Sequence, residues 1–228
     1  MTELDQSKIL LLCLDNQPSI HGKYKDLLAI ISRSVELKRA RSIDEAREFF
    51  DEKPRAVLVA DAGVTRSENV RVFSKLLSYL ITGGLVIFGF DFPSLTPNDA
   101  FNVFWGKFEL PWKSGNADRL SFRVNPFCSL PRGVRYNSLP SPYTMSVLHM
   151  RRAKPDDRMF LQAPDPEAET EDTLFPTGPH KGQAAVVGAK VKYGFLVYIG
   201  DINGQTGTKK LILALIGLRP RRTNTGRT

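Results

Sequence analysis

Apolar residues in the first half of the chain fall into two alternating patterns. Lys8 to Leu14, KILLLCL, is a continuous apolar run closed by Asp-Asn-Gln-Pro, as expected of a strand buried on both faces. His21 to Ser32 then spaces Tyr24, Leu27, Leu28 and Ile31 along one helical stripe. Val35 to Ala40 is a shorter strand. Ser42-Ile43-Asp44-Glu45 is a capping box that opens a helix through Phe50, because the serine and the glutamate can satisfy free backbone N–H groups at the helix start. Arg55 to Ala60 reads as a third strand ending on Asp61. Glu68 to Ile81 places Val72, Leu76, Leu77 and Leu80 on one face, and Gly83-Gly84 closes that helix. Leu85 to Phe88 runs as a fourth strand into Gly89-Phe90-Asp91-Phe92-Pro93, where an apolar run stops on an acid at a sharp turn.

The second half has shorter periods. Thr96-Pro97-Asn98-Asp99 predicts a helix start with proline at the first helical position. Phe101, Phe104, Trp105 and Phe108 follow at helical spacing, a stripe that forms core or lines a pocket. Ser121–Val124, Thr144–Met150 and Met159–Gln162 are short strand candidates. The segment 163–182 is acidic and proline-rich and reads as a surface loop. Ala184 to Lys192 and Phe195 to Gly200 form a hairpin around Tyr193-Gly194 that ends on Asp201, and Thr208 to Leu218 is a last amphipathic helix.

Strands separated by helices call for right-handed crossovers. The expected fold is therefore α/β: an open, mostly parallel, flavodoxin-like sheet with helices on both faces and an additional antiparallel hairpin. It forms one domain over 1–218, followed by a basic flexible tail, 219–228. The 228 residues suffice for one such core.

Composition narrows the class further. Cys13 and Cys128 are too few for a disulfide framework or a zinc site, and the apolar run after the polar start is too short for a membrane span or a signal h-region. The expected location is the cytoplasm or the nucleus, with no membrane contact; a homodimer is compatible. The net charge of +8 is spread along the chain, with four arginines in the last ten residues. Nucleic acid therefore ranks last among expected partners, because basic residues do not cluster with aromatics in any recognisable motif.

Candidate chemistry gathers at strand ends. Ligands of open parallel sheets bind beyond the carboxyl ends of the strands, and four strand candidates end on Asp15, Asp61, Asp91 and Asp201. Asn16, Gln17 and Asn203 could add neutral oxygens. If the carboxylates converge, they bind a cation such as Mg²⁺ or shift their pKa values upward. If they do not, each caps a helix or closes an Asx turn. No Gly-x-Ser-x-Gly or Gly-x-Cys-x-Gly elbow, P-loop, GxGxxG, HxH, CxxC or HExxH occurs, and His21, His149 and His180 are each isolated.

Three stretches, ITGGLVIFGFDFP, AFNVFWGKFELPWKSG and AAVVGAKVKYGFLVYIGDINGQ, resemble the class I glutamine amidotransferase-like fold, within it the ThuA-like branch and fungal proteins related to that branch. The resemblance sets Gly89, Phe90, Asp91, Phe92 and Pro93 against the family's Gly-x-Cys-x-Gly elbow, so that Asp91 stands where the cysteine would. Tyr198 to Asn203 falls where a His-x-Glu is expected and contains neither residue. The likeness thus implies a catalytically silent module that binds a small polar ligand or a protein partner at the carboxyl edge. Two alternatives remain: a metal-assisted hydrolase or lyase holding a divalent ion at Asp91 and Asp201 with Asp15 or Asp61, and nucleic-acid binding through the basic surface and tail.

Overall fold

Each strand expected in the first half is present: β1 (Asp5–Leu12), β2 (Glu36–Ala40), β3 (Pro54–Val59) and β4 (Leu85–Phe88). The structure is a computed structural model and describes residues 4–15, 19–163 and 182–218. The tail 219–228, and the acidic segment 163–182 apart from its two end residues, lie outside the described residues. The helices are α1 (Ser19–Lys23), α2 (Lys25–Ser34), α3 (Ile43–Asp51), α4 (Val70–Ile81), α5 (Phe92–Leu95), α6 (Asn98–Phe104) and α7 (Thr206–Leu215). The stripe expected as one helix from His21 is thus split at Tyr24, and α4 is entered through short 3-10 turns. Pro97 caps α6 rather than occupying its first turn. At α3, the Ser42 hydroxyl accepts from the Glu45 N–H as a capping box requires, but the Glu45 carboxylate reaches past Ser42 to the Arg41 N–H at 2.7 Å.

The sheet departs from the expected mostly parallel form. Its order is β2-β1-β3-β4-β9-β8-β7-β5-β6, with β5 (Lys113–Val124), β6 (Tyr143–Arg151), β7 (Arg158–Gln162), β8 (Val186–Val191) and β9 (Gly194–Ile199). Pairing is parallel from β2 to β9 and antiparallel from β9 to β6. One half of the sheet is therefore an antiparallel extension, not a single added hairpin. The largest departure is β5, expected only over its last residues. Its first part, KSGNADRL, is mostly exposed or half-buried and carries a register shift between Ser114 and Ala117, so it shows no apolar run to read.

The core lies on both faces of the sheet. One layer packs Tyr24, Leu27 and Ile31 with Leu211, Ile212 and Leu215 from α7 against Ile9, Leu11 and Val197. The other packs Ala46, Phe50, Val72 and Leu76 against Leu10, Val57 and Val86. The aromatic stripe belongs to this second layer: Phe101, Phe104, Trp105 and Phe108 join Phe88, Phe92 and Trp112 in mostly edge-to-face contacts. It is core, and none of these rings is exposed. The β8–β9 turn is made by Lys192 and Tyr193, with Lys192 left-handed. Gly194 opens β9 so close to the end of α4 that a Cβ would sit 1.9 Å from the Leu80 carbonyl oxygen; only glycine fits there.

Candidate functional site

Because β1, β3, β4 and β9 run parallel, the residues that follow them meet at one edge. Asp15, Asp61, Asp91 and Asp201 all lie there, and Asp61, Asp91 and Asp201 are buried. Asn16 and Gln17 lie outside the described residues, and Asn203 is exposed.

Each carboxylate has a local partner. Asp61 accepts from the Asp15 N–H at 3.0 Å through Oδ2 and from the Gly63 N–H at 3.1 Å through Oδ1, tying the end of β1 to the turn after β3. Asp15 faces the Arg66 guanidinium at 3.0 Å. Asp201 accepts from the N–H groups of Asn203 at 2.9 Å, Gly204 at 3.2 Å and Gln205 at 2.7 Å, and so shapes the approach to α7. Asp91 accepts from Lys23 Nζ at 2.8 Å, and the same ammonium donates to the Ile202 carbonyl at 3.1 Å. Lys23 therefore staples the turn after β4 to the turn after β9.

The turn itself is sharp. Phe90, not Asp91, takes the left-handed conformation, with φ of 57°, a region costly for a bulky side chain. Its ring packs at 4.6 Å from that of Tyr24, whose hydroxyl donates to the Phe90 carbonyl at 3.2 Å. Burial, and behind it the carboxylates of Asp201 and Asp91, raise the Tyr24 phenol well above its ordinary range. The neighbouring thiol of Cys13 is pushed up to about 12 by burial and next by Asp61, the reverse of what a nucleophilic thiol needs. Cys128, distant in the fold, is pushed up to about 11 by burial.

Comparison with family models gives no match, and neither does comparison with curated proteins. Among solved structures, a ThuA-like protein of Bacteroides uniformis superposes with a TM-score of 0.57 at 9% identity, covering 94% of this chain and 91% of the other. The chain has a ThuA-like fold. β-Galactosidases of Bacillus circulans sp. alkalophilus and Rahnella sp. R3 each superpose with a TM-score of 0.53, at 12% and 11% identity. This chain spans 32% and 31% of their lengths, so it matches about a third of those enzymes. At such identities the likeness concerns the fold alone.

Lys23 and Arg66 are the side chains at this edge that sequence reasoning passed over. Both were placeable: Lys23, at the end of α1, and Arg66, before α4, each fall in the segment that follows a parallel strand and passes over the carboxyl edge. Among the described residues, no three His, Cys, Asp or Glu side chains gather as a metal-ligand set. A divalent ion at Asp91 and Asp201 would have to displace the Lys23 ammonium from one and backbone N–H groups from the other. His149 is buried in β6, its Nδ1 3.0 Å from the Asn116 carbonyl oxygen and its ring against Phe122. No helix among the described residues is long and apolar enough to cross a membrane.

Asp61 gives this edge a measurable pH dependence. Burial raises its carboxyl from 3.8 to about 6, against the hydrogen bonds that lower it. Between those values the folded state binds more protons than the unfolded state, so stability falls as pH rises from about 4 to about 6, by up to about 3 kcal/mol, and then levels. Urea unfolding of the native protein and Asp61→Asn across that range checks this. The fall attributable to Asp61 is expected to vanish in the variant, whatever offset the lost acceptor causes at neutral pH.

Proposed function

We propose that the chain is a glutamine amidotransferase-like module that acts by binding, not by catalysis, and that its carboxyl edge receives a small polar ligand or a protein partner. The observation that carries this reading is the Lys23–Asp91 pair. In the catalytic relatives of the resemblance, the turn after the fourth strand presents a thiol and the turn after the late strand presents its histidine. Here an ammonium spans the same two turns, bound to Asp91 and to the Ile202 carbonyl. The position is filled by a structural cation, and the carboxylate that replaces the thiol is committed to it. Neither cysteine supplies a substitute nucleophile, since both are buried with raised pKa values.

What the edge offers to solvent is the Arg66 guanidinium, 55% exposed over the buried Asp15 carboxylate, and Asn203 on the turn that Asp201 holds. Such a rim suits hydrogen-bonded recognition of a small polar group. The test is ammonia release from L-glutamine by the purified full chain. No release above the buffer blank is expected; release abolished by Cys13→Ala or Cys128→Ala would overturn the reading.

A further inference from the structure

The opposite edge of the sheet carries a cleft of about 1170 Å³. It opens where the first residues of β3, β4 and β9 meet the C-terminal ends of α4 and α7, and residues 128–134 wall one side. Three cations far apart in sequence line it, Arg55, Arg132 and Lys190, and no described Asp or Glu does. None of the three makes an ion pair among the described residues. Arg55 is half-buried, packed on Gly217 and reaching the Gln6 carbonyl at 3.4 Å, and burial lowers its pKa from the ordinary value.

A structural cause accounts for part of this charge. Each helix C-terminus carries about half a negative elementary charge, so the ends of α4 and α7 together offset about one of the three cations. No described acidic lining residue offsets the remainder, so the concave surface attracts anions. Two aromatic rings stand on the same cleft: Tyr193, 77% exposed at the tip of the β8–β9 turn, and Tyr136, 45% exposed with its hydroxyl donating to the Cys128 carbonyl. A bare inorganic anion would use neither ring, and the volume is at the upper end of what small-molecule sites offer, roughly 300–1,000 Å³, far more than such an ion fills. Cations with exposed ring faces along a groove are the elements that hold a sugar–phosphate chain and stack its bases.

We propose that this amino-edge cleft binds nucleotides, their phosphates on Arg55, Arg132 and Lys190 and a base on Tyr193, either as free mononucleotides or as successive units of a single strand. The site is independent of the carboxyl-edge reading, since no residue is shared. Residues 55, 132, 136, 190 and 193 are scattered along the chain, which is why charge counting along the sequence finds no cluster.

The experiment is fluorescence anisotropy of a labelled oligothymidylate and a labelled oligouridylate of about eight nucleotides, with AMP and ATP as competitors, on the full chain at low salt. Binding is expected, with affinity falling about tenfold in the Arg132→Gln/Lys190→Gln double variant and about fivefold or more in Tyr193→Ala. These positions are exposed, so the variants should keep the native melting temperature. Arg71→Gln, a cation on α4 outside the cleft, should bind as the native protein does. Competition by AMP or ATP identifies free nucleotides as the source, and its absence identifies the single strand. Failure of every probe to bind, or binding that the cleft variants leave unchanged, would overturn the proposal.

Discussion

Trp105→Ala is expected to destabilise the protein by about 4 kcal/mol. The side chain is fully buried, with ring centroids from 5.2 Å (Phe88) to 6.3 Å (Phe108) and contacts to Phe92, Phe101, Phe104, Trp112 and Tyr198. Truncation removes the transfer energy of one of the two largest side chains in this layer and opens a cavity between elements that cannot all close on it, because the sheet fixes one wall. Aromatic pair energies of about 0.5–1.5 kcal/mol each are lost as well, though not additively. Trp105→Phe provides the contrast. Among the described residues the indole N–H has no hydrogen-bond acceptor, so replacing it forfeits only volume, and about 1–2 kcal/mol is expected. Urea unfolding midpoints of the two variants separate a packed core from a ligand-lined pocket: in a pocket, both substitutions would be mild.

The aromatic stripe shows what a sequence can and cannot say. Its helical spacing placed it on one face of α6 and the following turn, but spacing does not reveal whether that face meets core or cavity; the sheet that covers it comes from residues 85–88 and 194–199. The inner parallel strands β1, β3, β4 and β9 were legible because burial on both faces leaves continuous apolar runs, whereas the edge strand β2, ELKRA, has none. Strand β5 was not, because it is half-exposed and Gly115 and Asn116 interrupt its alternation. The four aspartates were legible as residues beyond strand ends, and their placement at one edge followed from parallel pairing. What each carboxylate does was not legible: Asp201 is held by backbone N–H groups of its own turn, Asp61 by those of Gly63 in its own turn and Asp15 after β1, and Asp15 and Asp91 by cations from other connections. The amino-edge cleft left no trace at all, since no two of its cations are neighbours in sequence.

The second large effect concerns Asp91. Lys23→Met removes the ammonium that neutralises a carboxylate only 2% exposed and takes the donor from the Ile202 carbonyl. Breaking a buried pair costs about 3–5 kcal/mol. The lysine end is 30% exposed, and solvent screening reduces the expectation to about 2–3 kcal/mol. The loss should be visible as a lower unfolding midpoint with little change in the denaturant slope. It should fall mainly on the turns after β4 and β9, whose amides would exchange faster while those of β1 and β3 stay protected. Asp91→Asn alone removes the charge but keeps one acceptor for Lys23, and so should cost less than Lys23→Met.

Those two substitutions close a cycle that tests whether Asp91 is a structural carboxylate bound to Lys23, the claim on which the silent-module reading stands. Unfolding free energies of the native protein, Lys23→Met, Asp91→Asn and the double variant should give a coupling of about 2 kcal/mol, with the double variant more stable than the sum of the single losses allows. Additive losses, to within about 0.5 kcal/mol, would show that Lys23 does not hold Asp91 and would return that carboxylate to the list of groups free to do chemistry.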